Sequence, residues 1–354
     1  MSLAARPCTR IPPPRLQPAS YRLASTSATP PTPPRSPAPA SKQLSPLELP
    51  HSYLLGELQR RDYPSFLAHY FYPRHLQTHY LAIRAFNVEV ASLKDSVSNE
   101  LLGQMRMGWW REAIKGAFDQ NRPAKHPVVL ALRSAFHDPA VLSSPSGGLL
   151  EDHFLRIISI READLSSSTT TPSLSELETY AEGTSSRLFY LSLNLLGVSS
   201  PVLDELFSHL GKATGLCLAL SSLPYHSHPP PSARHSVTKG ARKLTLPAET
   251  LQKFGVVEED VFRNGPQAKG FKDAVFDVAT RANDYLITAR TMVRDEFGGK
   301  LPKDVTPALI NAVPARFYLD RLQQADFDPY TPSLQAKHWK LPWQMWRASR
   351  TRNI

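Results

Sequence analysis

The sequence is poor in the features that mark several common protein classes. Its only cysteines are Cys8 and Cys217, too few for the disulfide framework of a small secreted domain. It has no run of 18 or more apolar residues, so we expect no transmembrane helix. It also has no acidic residue before Glu48 and none in residues 206–248. The first two absences exclude disulfide-rich secreted proteins and helical membrane-spanning proteins.

Residues 1–47 form an acid-free, proline-rich leader. They hold twelve of the 33 prolines and six of the 41 lysines and arginines. A segment rich in Arg, Ser, Thr and Ala and free of acid has the composition of a mitochondrial transit peptide. The alternative is a disordered proline-rich tail on a cytosolic protein. We predict a transit peptide and disordered leader over residues 1–47, and a mitochondrial location on the matrix side.

The positive charge of the chain does not indicate a nucleic-acid partner. The formal net charge is +10 and the pI is about 9.6. Without the leader, 35 basic residues face 31 acidic ones, and the remaining excess does not collect into a stripe. A nucleic-acid-binding domain would carry its basic residues on one face, so we predict no nucleic-acid partner.

From about residue 51 onward, apolar residues recur at the 3.6-residue spacing of amphipathic helices. Ser173 and Glu176 have the spacing of a capping box. Pro201 suits the first position of a helix, and Pro224 is expected to end that helix. The alternation typical of strands is scarce, so we predict one all-α domain over residues 48–330 and a separate tail over 331–354. Helices are predicted at 73–94, 99–118, 127–136, 151–164, 173–196, 200–223, 247–254, 257–263, 268–295 and 305–324.

Three segments, in this order and spacing, resemble the squalene/phytoene synthase family, whose members join two prenyl diphosphates. The family pattern is an aromatic-rich helix ending in D-D-x-x-D, then R-x-x-x-W, then a second acidic helix followed by R-x-Y-L-P. The resemblance covers about residues 60–325 and implies an isoprenoid-synthase-like helical bundle around a central cavity. The matching stretches are 82–95 with 105–112, 180–182 with 195–197, and 210–213 with 243–247 and 254–256.

The resemblance also identifies what this chain lacks. In the family, two facing acidic clusters hold the Mg²⁺ ions that bind the diphosphate of the substrate. Here the first cluster reads Ala91-Ser92-Leu93-Lys94-Asp95, with one of three carboxylates left. The second, expected as N-x-x-x-D-x-x-x-D, falls on residues 218–226 and has no carboxylate. Synthase activity would require ligands that these positions do not provide, so we predict no catalytic residue, no metal and no cofactor.

The residues that differ from the family pattern resemble those of one branch of the family. Residues 84–89, 94–98, 105–107, 211–213, 224–226 and 330–335 resemble the mitochondrial complex I assembly factor 6 subfamily. This resemblance implies a non-catalytic relative that is needed to build NADH:ubiquinone oxidoreductase, with a complex I subunit or assembly intermediate as its partner. The transit-like leader agrees with that location and was inferred from composition alone.

The resemblance also implies a vestigial pocket, although each of its residues has a plainer explanation. Asp95 beside Lys94 is more typical of a solvated surface pair than of a remnant site. Asn87 and Glu89 lie off the apolar face of their helix, where they line the cavity or bond to a neighbouring helix. The predicted pocket positions are Asn87, Glu89, Lys94, Asp95, Arg106, Trp110, Tyr180 and Lys212.

Several further residues are more typical of the core or the surface than of a functional site. Trp109, Trp110 and Met105 are expected in the core, and Lys212 is expected to extend to the surface. His226, His228 and His235 lie near prolines, with no cysteine or carboxylate close in sequence. We therefore predict a flexible loop there and no metal site.

The last residues combine tryptophans with basic side chains. Such a segment either packs back on the domain or lies at an anionic membrane interface, with its rings among the headgroups and its charges on phosphates. We predict peripheral contact with the inner-membrane lipid surface. The predicted contact residues are Trp339, Trp343, Trp346 and Arg347.

Three functional hypotheses follow. The first is an assembly factor for complex I that acts by binding on a degenerate prenyl-synthase scaffold, with a lipid or prenyl tail in the old cavity as an optional ligand. The second is an active prenyl diphosphate transferase of the squalene/phytoene synthase type with atypical metal ligands. The third is a lipid-binding peripheral membrane protein without a connection to complex I.

Overall fold

The computed structural model describes residues 48–97, 99–119, 124–166, 171–228 and 242–354. The predicted leader over residues 1–47 lies outside them, as do Ser98 and His235. Within these ranges the chain forms helices, short turns and loops, and no β-strand. The all-α prediction is confirmed.

The first half of the chain builds short helices around longer ones. In chain order they are α1 (Glu48–Arg61), α2 (Tyr63–Ala68), α3 (Gln77–Ala91), α4 (Leu93–Ser96), α5 (Glu100–Phe118), α6 (Pro127–Phe136), α7 (Pro139–Leu142), α8 (Glu151–Ser166), α9 (Leu174–Ala181) and α10 (Arg187–Leu195). A π-helical segment, Glu182–Ser186, joins α9 to α10 without a break in the helical backbone.

The second half contains the two longest helices. In chain order its helices are α11 (Pro201–Ser227), α12 (Ala248–Phe254), α13 (Glu258–Asn264), α14 (Phe271–Phe297), α15 (Thr306–Ile310), α16 (Val313–Gln324), α17 (Pro332–Gln335) and α18 (Leu341–Thr351). None of the described helices is both long enough and apolar enough to cross a membrane.

The helix starts follow local sequence signals. Ser173 and Glu176 form the predicted capping box, in which each side chain bonds the other residue's backbone amide. Asn99 caps α5, since its Oδ1 accepts from the Leu102 amide at 2.9 Å. Proline occupies the first turn of α6, α11, α16 and α18, where its missing N–H costs no helical hydrogen bond.

Helix α11 lies at the centre of the bundle and contacts α9, the π-helical segment, α14 and α16. Two glycines allow the π-helical side to approach closely. A Cβ added at Gly211 would lie 2.7 Å from Ser186 Cβ, and one added at Gly215 would lie 2.9 Å from Ala181 Cα. Real side chains essentially never approach so closely, so α11 requires glycine at both positions.

The last helix packs on the rest of the domain along one face. Leu341, Met345 and Ala348 are buried and join the apolar cluster that contains Tyr80, Phe86 and Phe154. Because these three residues recur at helical spacing, α18 buries a single stripe. The described part of the tail is therefore folded against the bundle, and its opposite face remains in solvent.

Two sequence predictions are wrong in detail. Met105 and Trp109 were expected in the core, yet they are 63% and 44% exposed. The buried face of α5 contains Gly103, Met107 and Trp110, and Met105 and Trp109 lie on another face, because residues two apart are about 200° apart around a helix.

Helix α11 also continues past Pro224 to Ser227. The buried Ser227 hydroxyl donates to the Leu223 carbonyl at 2.7 Å and lies 2.7 Å from the Tyr330 hydroxyl. These bonds fix the last turn of α11. In the same turn, the Pro224 carbonyl accepts a hydrogen bond from the His228 amide. The helical turn is thus retained although proline contributes no amide of its own.

Candidate functional site

The first degenerate motif lies where α3 ends and α4 begins. The Ser92 hydroxyl turns back to the Glu89 carbonyl at 3.0 Å. Lys94 binds Asp164 of α8, with Nζ 3.0 Å from Oδ2 and 2.8 Å from the backbone oxygen. Asp95, the one carboxylate left in the motif, is exposed. Lys94 therefore forms its ion pair with Asp164 of α8 and not with the adjacent Asp95.

The second degenerate motif occupies the last turns of α11. The family spacing N-x-x-x-D-x-x-x-D falls on Leu218, Ser222 and His226, which share one helix face because they are four residues apart. Leu218 is exposed hydrocarbon, and the Ser222 hydroxyl donates to the Ala219 carbonyl of its own helix at 2.9 Å. Burial lowers the pKa of His226. This face therefore offers a leucine, a hydroxyl that already bonds its own helix, and an imidazole, with no carboxylate among them.

The two motifs lie close together in space. Burial raises the pKa of the Tyr225 hydroxyl, and the charge of Asp95 beside it raises that pKa further. The charges of Asp95, Lys94 and Lys243 also act on the pKa of His226. The tertiary structure thus brings the replaced positions of both motifs into one site, as the family arrangement implies.

The site does not have the donors for a magnesium cluster. Mg²⁺ requires oxygen ligands in near-octahedral geometry, and the facing side chains here include Lys94, Lys243 and His226. Burial and the nearby Lys94 lower the pKa of Lys243, and Asp164, the nearest carboxylate of α8, is already paired with Lys94. No group of three or more His, Cys, Asp or Glu side chains that could hold a metal occurs within the described ranges. The residues present do not fit the metal ions of the family.

The family model described as Squalene/phytoene synthase matches residues 58–347. The chain belongs to the squalene/phytoene synthase family. Solved structures show the same fold. A squalene synthase from Alicyclobacillus acidocaldarius superposes on this chain with a TM-score of 0.60 at 18% identity, and the match covers 80% of this chain and 97% of that one. A dehydrosqualene synthase gives a TM-score of 0.64 at 16% identity, covering 86% and 96%.

Curated relatives within this family are more similar in sequence. A rat protein named "NADH dehydrogenase (ubiquinone) complex I, assembly factor 6" is 38% identical over 301 residues, covering 84% of this chain and 82% of the relative. The human protein of that name is 33% identical, covering 83% and 81%. A Dictyostelium discoideum homolog is 27% identical, covering 70% and 62%.

Two of the predicted pocket residues of this family member have partners on neighbouring helices. Arg161 donates to Asn87 Oδ1 at 2.6 Å. The Tyr53 hydroxyl donates to Glu89 Oε1 at 2.9 Å, and burial together with Glu89 raises the pKa of Tyr53 to about 12. Asn87 and Glu89 are therefore tied to α8 and α1.

Tyr180 and Trp110 have different surroundings. Tyr180 is 36% exposed, yet desolvation raises the pKa of its hydroxyl, and Arg161 and Asp164 are near enough to affect it. The Tyr180 ring is thus partly accessible while its hydroxyl lies among protein atoms. Trp110 is buried edge-on against Phe86, with ring centroids 5.5 Å apart, and belongs to the core.

Arg106 and Lys212 have different partners. Arg106 is exposed and donates to the Ser96 hydroxyl at 3.3 Å. Lys212 lies 4.0 Å from Glu182 and 5.7 Å from the centre of the Tyr285 ring. The structure brings Lys94 and Asp95 together with Arg106, which bonds the adjacent Ser96. Asp164 and Arg161 connect Tyr180 to Lys94 and Asn87.

Sequence reasoning missed three residues of this site: Asp164, Tyr225 and Lys243. Asp164 lies 70 residues from Lys94, and no local pattern marks the pair. Lys243 does begin the segment matched to the family's R-x-Y-L-P pattern, a signal that could have placed it in the site. His226, assigned to a flexible loop, lies on the last turn of α11.

The three C-terminal tryptophans are exposed. Trp339 is 77% accessible, Trp343 51% and Trp346 55%. Trp343 and Trp346 lie on the face of α18 opposite its buried stripe, and Trp339 lies in the turn that precedes the helix. Arg347 lies over the Trp343 ring, 5.8 Å from its centre. The predicted contact residues therefore form one accessible aromatic and basic surface.

Proposed function

We propose that this chain is a mitochondrial assembly factor for respiratory complex I that acts by binding and catalyses no reaction. The observation that carries the proposal is the loss of oxygen ligands from both facing motifs in a chain whose relatives are named complex I assembly factor 6. Without a metal cluster this scaffold lacks the ions with which the family neutralises a diphosphate leaving group. Its helical surfaces remain available to a complex I subunit or assembly intermediate.

We assign the three segments of the chain to different roles in the mitochondrion. Residues 1–47 direct the protein to the mitochondrion, residues 48–330 form the binding scaffold, and residues 331–354 contact the inner membrane from the matrix side. The acid-free composition of the leader supports the first role. The exposed Trp339, Trp343 and Trp346 support the last.

The assembly role is tested in cells that lack the gene. Native gels of their mitochondria should contain less assembled complex I and more of its intermediates, and the full chain should restore assembly. Tagged protein purified from mitochondria should bring complex I subunits with it. Normal complex I in the deleted cells, with vesicle binding by the purified protein, would instead favour the lipid-binding hypothesis.

The absence of catalysis is tested with the purified full chain, Mg²⁺ and farnesyl or geranylgeranyl diphosphate. We expect no condensed prenyl product and no release of pyrophosphate. Asp95→Ala is the matched variant, because Asp95 is the one carboxylate left in either motif. Turnover that disappears in this variant would contradict the proposal and establish a transferase with atypical ligands.

A further inference from the structure

A cleft separates α16 from α18 on the surface of the domain. Its inner part, about 200 Å³, is lined by Arg316 of α16 and by Arg347 and Thr351 of α18. Its outer part, about 360 Å³, is lined by Arg321 and Lys340. Phe317, Asp320 and Gln344 line both parts, so the two form one continuous cleft.

The charge of this cleft is positive and only partly matched. Arg316, Arg321, Lys340 and Arg347 line it, against one side-chain carboxylate, that of Asp320. Asp320 lies 3.8 Å from Arg316 with both side chains largely exposed, a weak pair in water. Among the ion pairs formed by described residues, none includes Lys340 or Arg347. The cleft therefore presents at least two cations without a carboxylate.

A half-buried arginine bonds one of the residues that line the cleft. Arg290 donates to the Ile354 backbone oxygen at 2.9 Å, and Ile354 lines the inner part. Burial and the neighbouring Arg316 lower the pKa of Arg290.

The cleft opens next to the exposed tryptophans. Arg347 lines the cleft and lies over the ring of Trp343, and Lys340 lines it and lies 5.5 Å from the centre of the Trp339 ring. Two residues thus belong both to the basic cleft and to the aromatic surface. A ligand with a phosphate in the cleft would have its apolar part beside the indole rings.

We propose that the cleft between α16 and α18 binds the phosphate headgroup of an anionic phospholipid. Planar guanidinium groups of Arg316 and Arg347 match the oxygens of a phosphate in a fork geometry, and the amide of Gln344 adds a neutral donor. The acyl chains lie toward Trp339 and Trp343. This inference rests on the proposed membrane contact and gives that contact a defined headgroup site.

The test measures binding of the purified full chain to vesicles of phosphatidylcholine alone and with about one fifth phosphatidylglycerol. Arg347→Gln and Arg350→Gln form a matched pair, since each removes one charge from α18 and only Arg347 lines the cleft. We expect Arg347→Gln to weaken binding to the anionic vesicles about tenfold, and Arg350→Gln less than threefold. The double variant Arg316→Lys, Arg347→Lys retains both charges but not the fork, and we expect it to weaken binding about tenfold.

Equal effects of Arg347→Gln and Arg350→Gln, or wild-type binding by the double lysine variant, would show attraction by charge alone and would overturn the headgroup site. Inorganic phosphate that binds the chain as tightly as the anionic vesicles do would identify free phosphate as the ligand and would also overturn it. Trp343→Ala with Trp346→Ala tests the underlying contact separately. If that variant still binds vesicles fully, the membrane contact itself is wrong.

Discussion

Lys94 and Asp164 form an ion pair between α4 and the end of α8, with Nζ 3.0 Å from Oδ2. The lysine stands within the segment where the squalene/phytoene synthase family has a metal-binding carboxylate motif. A second bond, from Nζ to the Asp164 backbone oxygen at 2.8 Å, fixes the contact. At this place the chain has a connection between helices that is made by its own charges and requires no ion.

The Lys94–Asp164 pair should contribute measurably to stability. Both side chains are about one quarter to one third exposed, so solvent screens the pair and limits its contribution to roughly 1 kcal/mol. We expect Lys94→Ala and Asp164→Asn each to lower the free energy of unfolding in urea by about that amount. The double variant should lose less than the sum of the two. Full additivity would mean that the pair does not interact in solution.

Asn311 joins two buried tyrosines and should be less tolerant of change. Its Oδ1 accepts from the Tyr80 hydroxyl at 2.5 Å, and its Nδ2 donates to the Tyr72 hydroxyl at 3.1 Å. Asn311→Ala leaves both hydroxyls without this partner in the core, at a cost of about 2–4 kcal/mol. Gln324→Ala on α16 is an exposed control that should change stability by less than about 0.5 kcal/mol. Similar melting temperatures for the two variants would contradict this role.

Gly211 and Gly108 provide a matched comparison within helices. A Cβ at Gly211 meets Ser186, whereas a Cβ at Gly108 meets nothing within 4 Å. Gly211→Ala should therefore destabilise the fold by about 1–3 kcal/mol through overpacking. Gly108→Ala should stabilise it by roughly 0.5–1 kcal/mol, because alanine loses less backbone entropy in a helix. Urea unfolding of both variants would reveal the opposite signs.

The two faces of α18 should respond differently to truncation. Met345 is fully buried and Trp346, the next residue, is 55% exposed. We expect Met345→Ala to lower the free energy of unfolding by about 2–4 kcal/mol, through lost burial and a cavity. Trp346→Ala removes more atoms yet should cost less than about 1 kcal/mol. A larger loss with Trp346→Ala would mean that the indole packs on the domain in solution.

His153 should make the protein less stable in mild acid. Burial and the adjacent Arg187 lower its pKa from 6.5 to about 4. Between pH 6.5 and 4 the unfolded chain therefore binds the proton more readily, so stability falls as the pH decreases through this window. Allowing for partial exposure of the ring, the loss at pH 4.5 amounts to about 1–2 kcal/mol.

The measurement is urea unfolding of wild type and His153→Gln at pH 7.5, 6 and 4.5. The variant should lose less stability on acidification than wild type does. His75→Gln, on an exposed turn, controls for the removal of a histidine as such. An unchanged pH dependence in His153→Gln would show that other groups cause the acid sensitivity.

The sequence predicted the helices well where local signals decide them. The capping box at Ser173 and the glycine after α10 are short-range devices, and both act as expected: Gly197 adopts a φ of +73°. The predicted helix over 73–94 begins instead at Gln77 and ends at Ala91, because the Pro73 turn and Ser92 interrupt the pattern. Boundaries depend on such local competition more than on apolar spacing.

The site was predicted less completely, because its partners come from distant parts of the chain. The loss of carboxylates could be read directly from residues 91–95 and 218–226. That Lys94 pairs with Asp164, or that Lys243 faces His226, depends on how α4, α8 and α11 meet. The exposure of Trp109 was also beyond sequence reasoning, since adjacent tryptophans on α5 differ only in which one faces the bundle.

Contacts between the two ends of the described chain have a consequence for folding kinetics. Lys337 donates to the Gln59 carbonyl at 2.8 Å and its ammonium lies over the Tyr63 ring, and the donor and acceptor of that bond are 278 residues apart. Helices α1 and α2 therefore obtain their full set of neighbours only when the last segment has been synthesised. Contacts between residues so far apart in the sequence slow folding. A nascent or newly translocated chain would keep its first helices incompletely covered until then, and this interval is when chaperones would be expected to hold it.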